Sequence, residues 1–587
     1  MKKDPWILLK SIMLISIGLF VYSPIWSASW VWDDTIEILN NLEIRGSISS
    51  LSSIWVNPRG LDYLPVKSTL QWFEWHLWGA NPLGYHLVSL GLHICSSLLV
   101  WRILKKLGLS LAWWGGVLFL VHPIAVQSVA WISELKNTLS LPLMLLAFDT
   151  FIEYDTALNE KSSRSHLLYF YSLGLFLLAM LAKASVVMLP FSLVLYVWWK
   201  RSHVTKKELF TLSSYFILSL ALGLVTIYFQ HTRAIGGESI AIGTTSERLL
   251  SSILSFGFYL KSFLIPSNLT PIYPRWPLGT FSFINIIGWT LLISFLLFLV
   301  KIKSKKSKNI LFGFGWFSIN LIPILGVIPM SFLKYAQVSD HFAYISILGL
   351  IGLTVLATGS LIDWLQSKSL YLSYCASVGS FCLLSLLAYI SYYHAKDFES
   401  DTTFYTKIIH DNPSCWMAHD NLGNIYNDTK RYPEAISEYT EVLKLVPRYA
   451  KAHYNLGLAL VDSGHIPEGI YQYEEALSIH PEYAEVHNNL GIALSLSGRS
   501  TEAIVHFQEA IQLRPNFSEA ELNWGLALAK DNRIPEALEH FQGAVRLNPA
   551  SDHAHLILGY ALQALGRQTE ADEELALAQK LKTPPSL

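Results

Sequence analysis

Charged residues are scarce in this chain of 587 residues, at 15% of the sequence, whereas soluble domains carry about 25%. Apolar residues make up 52%, so the composition excludes an ordinary soluble enzyme. The sequence also lacks a phosphate-binding Gly-Lys motif and any Cys/His metal spacing, which disfavours the use of a nucleotide-sugar and a metal centre. Cysteines are too few for a disulfide framework, and they stand at Cys95, Cys375, Cys382 and Cys415.

The charge that is present divides unevenly at Tyr393. The first 393 residues have a net charge of +11 and the remaining 194 a net charge of −12. Eighteen of the 20 tryptophans precede the boundary, as expected of side chains that anchor at a membrane interface. Basic residues fall in short clusters between apolar stretches, which disfavours nucleic-acid binding. We therefore predict a polytopic membrane domain over 1–393, a linker over 394–415 and a soluble domain over 416–585.

Eleven apolar stretches approach the length of about 20 residues that a membrane helix needs. A further stretch, 249–265, carries Lys261 and is interpreted as re-entrant or interfacial, because a full crossing would put the basic run 301–308 outside. With basic loops on the cytoplasmic side, an odd number of crossings puts the C-terminal part on the opposite side. The eleven predicted crossings are 6–26, 84–104, 112–131, 137–152, 167–182, 184–200, 208–229, 282–300, 309–330, 342–362 and 370–392.

The C-terminal part repeats every 34 residues. This period, with small residues at helix crossings, resembles the tetratricopeptide repeat, a helix–turn–helix unit, and five units cover 416–585. The predicted fold is therefore all-α: a membrane helical domain followed by an α-solenoid, which forms a groove for a protein or peptide partner. The period is marked by Pro413, Pro447, Pro481, Pro515 and Pro549, and by Gly423, Gly457, Gly491, Gly525 and Gly559.

Two polar series follow the same period. The first holds the position two before the glycine, at Asn421, Asn455, Asn489 and Asn523. It resembles the asparagine ladder of the nucleocytoplasmic O-GlcNAc transferase, where amides bind an extended peptide; the alternative is a generic polar surface. The second series is of histidines, and a metal shared between repeats is excluded because equivalent positions lie about 10 Å apart. These histidines are His419, His453, His487 and His555.

An acidic pair, Asp33 and Asp34, opens the long loop that follows the first apolar stretch. Adjacent acids beside the membrane are costly to keep without a function. The alternative is a helix cap before Thr35, and both interpretations are compatible.

Four stretches carry a wider resemblance: Trp32-Asp33-Asp34; Tyr63-Leu64-Pro65 through Gly84-Tyr85-His86; His122-Pro123 through Ser133-Glu134; and Asp340-His341-Phe342-Ala343-Tyr344. Together with the repeats, they make the chain similar to the transmembrane and tetratricopeptide repeat-containing (TMTC-like) family, relatives of the protein O-mannosyltransferases of the GT-C class.

The resemblance implies a membrane transferase that moves a sugar, such as mannose, from a polyprenyl phosphate to Ser/Thr hydroxyls. Asp34, beside Asp33, is expected to be the base that takes the hydroxyl proton. No cofactor is identified, and a divalent cation on loop carboxylates stays open because only some enzymes of the class need one. The lipid phosphate or the active-site loops are expected to involve His122, Glu134, Lys136, Lys183, Arg233, Arg275, Asp340 and His341.

Three arginines that relatives often carry are replaced here by Leu64, Leu135 and His341. Neither leucine nor neutral imidazole replaces a bidentate guanidinium, so altered donor use or lost catalysis stays open. The alternatives are a non-catalytic envelope scaffold and a polysaccharide polymerase or ligase. The expected location is a bacterial inner membrane with periplasmic repeats, and the alternative is an endoplasmic-reticulum membrane with luminal repeats.

Overall fold

The computed structural model describes residues 5–58, 60–235, 244–276, 283–302, 304–326 and 330–582. Within these ranges every regular element is helical, which confirms the predicted all-α class. The chain divides into two compact units, Met1–Asn412 and Pro413–Leu587.

The described part of the first unit contains seventeen α-helices, joined by short loops and by single 3₁₀ or π turns. They are α1 Ile7–Val21, α2 Leu42–Arg45, α3 Ser49–Val56, α4 Pro65–Trp78, α5 Pro82–Lys106, α6 Ala112–Val121, α7 Val126–Ala130, α8 Leu135–Asn159, α9 Ser165–Ala182, α10 Leu189–Arg201, α11 Lys206–Phe229, α12 Thr245–Leu264, α13 Phe283–Ile302, α14 Lys305–Leu321, α15 Ile347–Gln366, α16 Leu370–Ala395 and α17 Asp401–Asp411.

Among the described residues, six helices are long and apolar enough to cross a membrane, namely those built on α5, α8, α9, α11, α15 and α16. A seventh span forms if α6 and the following Pro123–Ala130 segment, bent by 53°, count as one. The helices Ile7–Val21 and Ile287–Ile302 are apolar but shorter. Eleven crossings therefore stay a prediction, as does the re-entrant interpretation of 249–265, which lies in α12. Residue 282 and residues 327–329, at the ends of two predicted spans, lie outside the described residues.

Ion pairs tie the far end of α8 to its neighbours. Asp149 accepts from Arg102 on α5 at 2.9 Å, and Asp155 accepts from Lys200 at 2.5 Å and from Arg201, both on α10. The sequence predicts clusters of basic residues between the apolar stretches. The structure shows that basic residues from two of these clusters form ion pairs with carboxylates of α8. Asp149 and Asp155 lie well along α8, so at 1.5 Å per residue about 21 Å and 30 Å of helix separate them from Leu135 in its first turn.

The stretch predicted as a linker, 394–415, is for the most part a folded piece of the first unit. It contains the end of α16, a 3₁₀ turn at Lys396–Phe398 and α17. The Asp401 carboxylate accepts a hydrogen bond from the Trp32 backbone N–H at 2.8 Å, and the Glu399 carbonyl accepts from the Ser29 N–H at 3.0 Å. These long-range bonds hold α17 against the first loop, which a composition change at Tyr393 does not reveal.

The second unit is a series of five helix pairs. In each repeat the glycine of the first helix faces a large side chain sixteen residues later: a Cβ at Gly491 would lie 2.7 Å from Phe507 Cε1. Glycine is required there because no larger residue leaves room for the ring. The helices are α18 Trp416–Asp428, α19 Tyr432–Leu445, α20 Ala450–Asp462, α21 Ile466–Ile479, α22 Ala484–Leu496, α23 Ser500–Leu513, α24 Ser518–Lys530, α25 Ile534–Leu547, α26 Asp552–Ala564 and α27 Gln568–Lys582.

Candidate active site

The turn that presents the acidic pair is held in an uncommon conformation. Trp32 has φ +49°, a left-handed backbone angle that is rare for a bulky residue. Its indole stacks on Trp131 with ring centroids 5.2 Å apart, and its backbone N–H is bound by Asp401. Strained residues of this kind persist where the surrounding structure fixes them, and they concentrate at functional sites.

Asp34 is fully buried, and both of its carboxylate oxygens accept hydrogen bonds. Its Oδ1 accepts hydrogen bonds from the Ser133 N–H at 2.7 Å and the Ser133 hydroxyl at 2.6 Å, and its Oδ2 accepts from the Val31 N–H at 3.0 Å. Burial and the neighbouring Asp33 raise the pKa of Asp34 well above its ordinary value, against the opposing effect of these bonds. Asp34 thus joins the first and second outer loops, and both of its oxygens already accept hydrogen bonds. The choice of Asp34 as base does not fit this geometry.

Asp33 has the opposite character. Within the described part of the chain, its Oδ1 is buried and accepts no hydrogen bond, although the residue as a whole is only partly buried. Burial raises the pKa of Asp33 to about 7; Glu37 and Glu134 raise it too, whereas Lys136 and Lys67 lower it. A carboxylate that titrates near neutral pH and keeps a free oxygen suits proton transfer.

Glu134 is the centre of a buried charged cluster at the first turn of α8. Its Oε1 lies 3.0 Å from Lys136 Nζ and 3.7 Å from His341 Nε2. Its Oε2 accepts from the Asn137 amide and lies 4.0 Å from Lys183 Nζ, which donates to the Asn137 oxygen. The structure therefore brings together four of the predicted residues, from the second outer loop, the end of α9 and the loop before α15.

The pair Asp340-His341 is buried and supports this cluster from the side of the loop before α15. Both oxygens of Asp340 accept from the Tyr273 hydroxyl, at 2.9 and 3.0 Å, and burial raises the pKa of Asp340 to about 7. His341 Nδ1 meets the Ser339 hydroxyl at 2.8 Å, and Gln127 Oε1 accepts from both the His341 N–H and the Ser339 hydroxyl. The imidazole is held with Nε2 towards Glu134.

Three further predicted residues serve neighbouring loops. His122 has both ring nitrogens engaged: Nδ1 accepts from the Ile124 N–H, and Nε2 donates to the Phe263 carbonyl at 3.1 Å. Arg233 donates to the carbonyls of Pro58 and Gly60, and Arg275 donates to the carbonyl of Leu333. Two of the residues that stand where relatives often carry arginine have different surroundings. Leu135 is fully buried, and Leu64 is the N-cap residue of α4.

A polar stripe on α4 is the feature that sequence reasoning missed. Lys67, Gln71 and Glu74 lie on one face and are 6%, 2% and 1% exposed. Lys67 pairs with Glu37, but among the described residues Gln71 Nε2 and both Glu74 oxygens are buried without a hydrogen-bond partner. Burial raises the pKa of Glu74 to about 8, so it is neutral at pH 7. The i, i+4, i+7 spacing of these polar residues indicates that they share one helix face. The neighbouring tryptophans draw attention away from this pattern in the sequence.

Comparison with known proteins identifies the repeats. Sequence profiles of the tetratricopeptide repeat match residues 423–464, 457–498, 484–517 and 522–582. The second unit is a tetratricopeptide-repeat array. Among solved structures, YrrB, described as a TPR protein with an unusual peptide-binding site, is 25% identical and covers 30% of this chain and 92% of its own (TM-score 0.26). PilF of Pseudomonas aeruginosa is 24% identical over 29% of this chain and 77% of its own (TM-score 0.27).

One relative carries the name of an enzyme. Protein O-mannosyl-transferase F38B6.6 of Caenorhabditis elegans is 27% identical over 133 residues. The match covers 20% of this chain and 19% of that protein. The similarity is thus confined to about a fifth of each sequence.

The asparagine series makes hydrogen bonds within the array. Asn455 donates to Asn424 Oδ1 at 3.0 Å, Asn489 to the Tyr454 hydroxyl at 3.0 Å and Asn523 to Asn488 Oδ1 at 3.1 Å. Asn421, in the first repeat, donates to the carbonyl of Met417 within its own helix. From the second repeat on, these amides link successive first helices.

Proposed function

We propose that the chain is an integral-membrane glycosyltransferase of the GT-C type, which transfers a hexose from a polyprenyl-phosphate donor to Ser/Thr hydroxyls of proteins bound by the repeats. The observation that carries the proposal is the Asp33 carboxylate. It has one free oxygen, a pKa near neutrality and a cluster of lysines beside it.

In the proposed reaction Asp33 is the general base. As the acceptor hydroxyl oxygen bonds to the anomeric carbon, its proton passes to the Asp33 carboxylate, and the bond from the anomeric carbon to the phosphate oxygen breaks. The lipid phosphate leaves with the electron pair, and attack from the opposite face inverts the anomeric configuration. A positioned base of this kind contributes about 10²–10⁴-fold to the rate.

The leaving phosphate needs cations, and two lysines supply them. Lys136 and Lys183 approach Glu134 from two sides, and the Lys183 and Lys136 side chains are 12% and 20% exposed. They compensate for the arginines that Leu64 and Leu135 replace, as point charges rather than bidentate forks. Gln71 and the neutral Glu74 offer amide and carboxyl groups of the type that bind sugar hydroxyls.

The two ends of α8 support an orientation. Near its C-terminal end, α8 forms ion pairs with basic residues, and basic residues favour the cytoplasmic side. Glu134 stands at the opposite end, beside the first turn. The ~30 Å of helix between Leu135 and Asp155 matches the ~30 Å hydrocarbon thickness. The site would therefore open at the outer face, in a periplasm or an endoplasmic-reticulum lumen, and a bound lipid-linked donor would reach it from the membrane. The tetratricopeptide array would recruit the acceptor protein.

A reconstituted assay tests the proposal. Full-length protein in proteoliposomes is given a radiolabelled polyprenyl-phosphate hexose and a Ser/Thr-rich peptide. The matched control is Asp363→Asn, at an exposed aspartate near the end of α15. We expect label on the peptide with wild type and with this control, and a loss of at least 100-fold with Asp33→Asn. Equal transfer by wild type and Asp33→Asn, or no transfer by wild type from mannosyl or glucosyl donors, would contradict the proposal.

A further inference from the structure

In every repeat, a polar pair of residues nineteen positions apart joins the two helices. In four repeats the pair joins a histidine to a carboxylate or an amide: His419–Glu438 at 2.6 Å, His453–Gln472 at 2.7 Å, Glu521–His540 at 2.7 Å and His555–Glu574 at 2.5 Å. The third repeat is different, because both members are histidines. There His487 Nδ1 lies 3.0 Å from His506 Nδ1.

The remaining nitrogen of His487 fixes the state of its ring. His487 Nε2 lies 3.0 Å from the Pro481 carbonyl, which can only accept, so Nε2 carries the hydrogen. The lone pair of Nδ1 therefore points at His506. Metal-binding histidines commonly donate their other ring N–H to a carbonyl in this way, which fixes the tautomer and the ring orientation.

The distance between the two nitrogens suits a shared ion. With metal–nitrogen bonds of about 2.05 Å, nitrogens 3.0 Å apart subtend an angle of roughly 95° at the metal. A right angle is typical of the square-planar and tetragonal sites of Cu²⁺ and Ni²⁺, and imidazole is a preferred ligand of both. The ion would take the place of the one proton that the pair shares.

Further ligands stand on the same helix. Glu502 precedes His506 by four residues and Glu509 follows it by three, so both carboxylates lie on its face of α23. Glu502 is held by Arg499 in an exposed ion pair, which is weak and easily exchanged. Within the described residues, no three His, Cys, Asp or Glu side chains converge on one point. The remaining coordination positions of the ion would therefore be filled by water or by a carboxylate that changes its rotamer.

We propose that His487 and His506 form a binding site for a divalent transition-metal ion, with Cu²⁺ and Ni²⁺ preferred. Both imidazoles are only partly buried, so an ion reaches them from solvent. Once bound, it cross-links α22 and α23 in the middle repeat and stiffens the centre of the array. The site lies within one repeat, so the ~10 Å separation that excludes a metal shared between repeats does not apply to it.

The array supplies its own matched variants. His506→Gln reproduces the His453–Gln472 pair of the second repeat and should fold like it. Conversely, Gln472→His places a second imidazole opposite His453 and should create another site. Because each variant imitates a pair that already exists in this chain, a general loss of folding is not expected, and circular dichroism checks it.

The test uses the full chain in detergent, dialysed against Cu²⁺ and then against metal-free buffer, with metal content measured by mass spectrometry and ligation by electron paramagnetic resonance. Relative to the copper content of wild type, we expect one ion fewer per chain in His506→Gln and one more per chain in Gln472→His. The resonance spectrum of wild type should show two coupled imidazole nitrogens, and that of His506→Gln should not. An unchanged content in His506→Gln, or wild-type spectra without paired nitrogens, would overturn the proposal. These readouts do not depend on transferase activity.

Discussion

At the scale of single residues, the two adjacent aspartates lie in different environments, and we propose different roles for them. Asp34 is saturated with hydrogen bonds from Ser133 and Val31, whereas Asp33 keeps a free oxygen near Glu37 and the lysines. The sequence indicates that the pair is important, but the division of roles depends on Ser133, which is 99 residues away along the chain. No local pattern contains that contact.

The proposed role of Asp33 predicts a pH profile. The base must be ionised, and its pKa is raised to about 7, so kcat/KM should rise about tenfold per pH unit below 7 and level off above it. Initial transfer rates in proteoliposomes between pH 5 and 9 measure this. The pKa of Asp340 is also about 7, so Asp340→Asn is the control. A midpoint near 7 that persists in that variant supports Asp33, and a profile that becomes flat would assign the titration to Asp340.

Glu74 predicts a pH-dependent stability. Its pKa is raised from 4.5 to about 8 by burial, so the folded state holds a proton that the unfolded state releases between these values. The stability of the wild type therefore falls as pH rises from 4.5 to 8, by on the order of a few kcal/mol. Glu74→Gln removes the titrating group, and its melting temperature should exceed that of wild type by more at pH 8 than at pH 5. Parallel melting curves at the two pH values would contradict this account.

At the scale of elements, prediction succeeded where the signal is periodic. The 34-residue repeat predicts ten helices, and the glycine series has a direct cause in the aromatic or leucine side chain opposite. The boundary at Tyr393 was set by composition, and it cuts α16 and separates α17 from the loop it contacts. The buried stripe on α4 was likewise concealed, since a Lys, a Gln and a Glu look solvent-exposed in a sequence.

The glycine–ring packing gives a prediction for one repeat. In Gly491→Ala the new Cβ would lie 2.7 to 3.0 Å from three atoms of Phe507, so the ring must move. We expect a loss of about 1–3 kcal/mol, seen as a lower melting temperature of the second unit. Adding Phe507→Leu should recover part of it. Gly379→Ala is the control, because its Cβ would meet no atom within 4 Å. Equal melting of both alanine variants would show that the ring adapts at no cost.

At the scale of the whole molecule, a unit rich in apolar helices, with a buried charged cluster, is joined to a tetratricopeptide-repeat array. The array is identified by its repeat profiles, and the transferase role is proposed from the cluster around Asp33 and Glu134. The most direct measurement is mass spectrometry of envelope or secretory proteins from cells that lack the chain and express wild type, Asp33→Asn or Asp363→Asn. Our account predicts hexose on Ser/Thr with wild type and Asp363→Asn only. The same glycosylation in all three strains and in cells without the chain, with each variant present in the membrane, would contradict it.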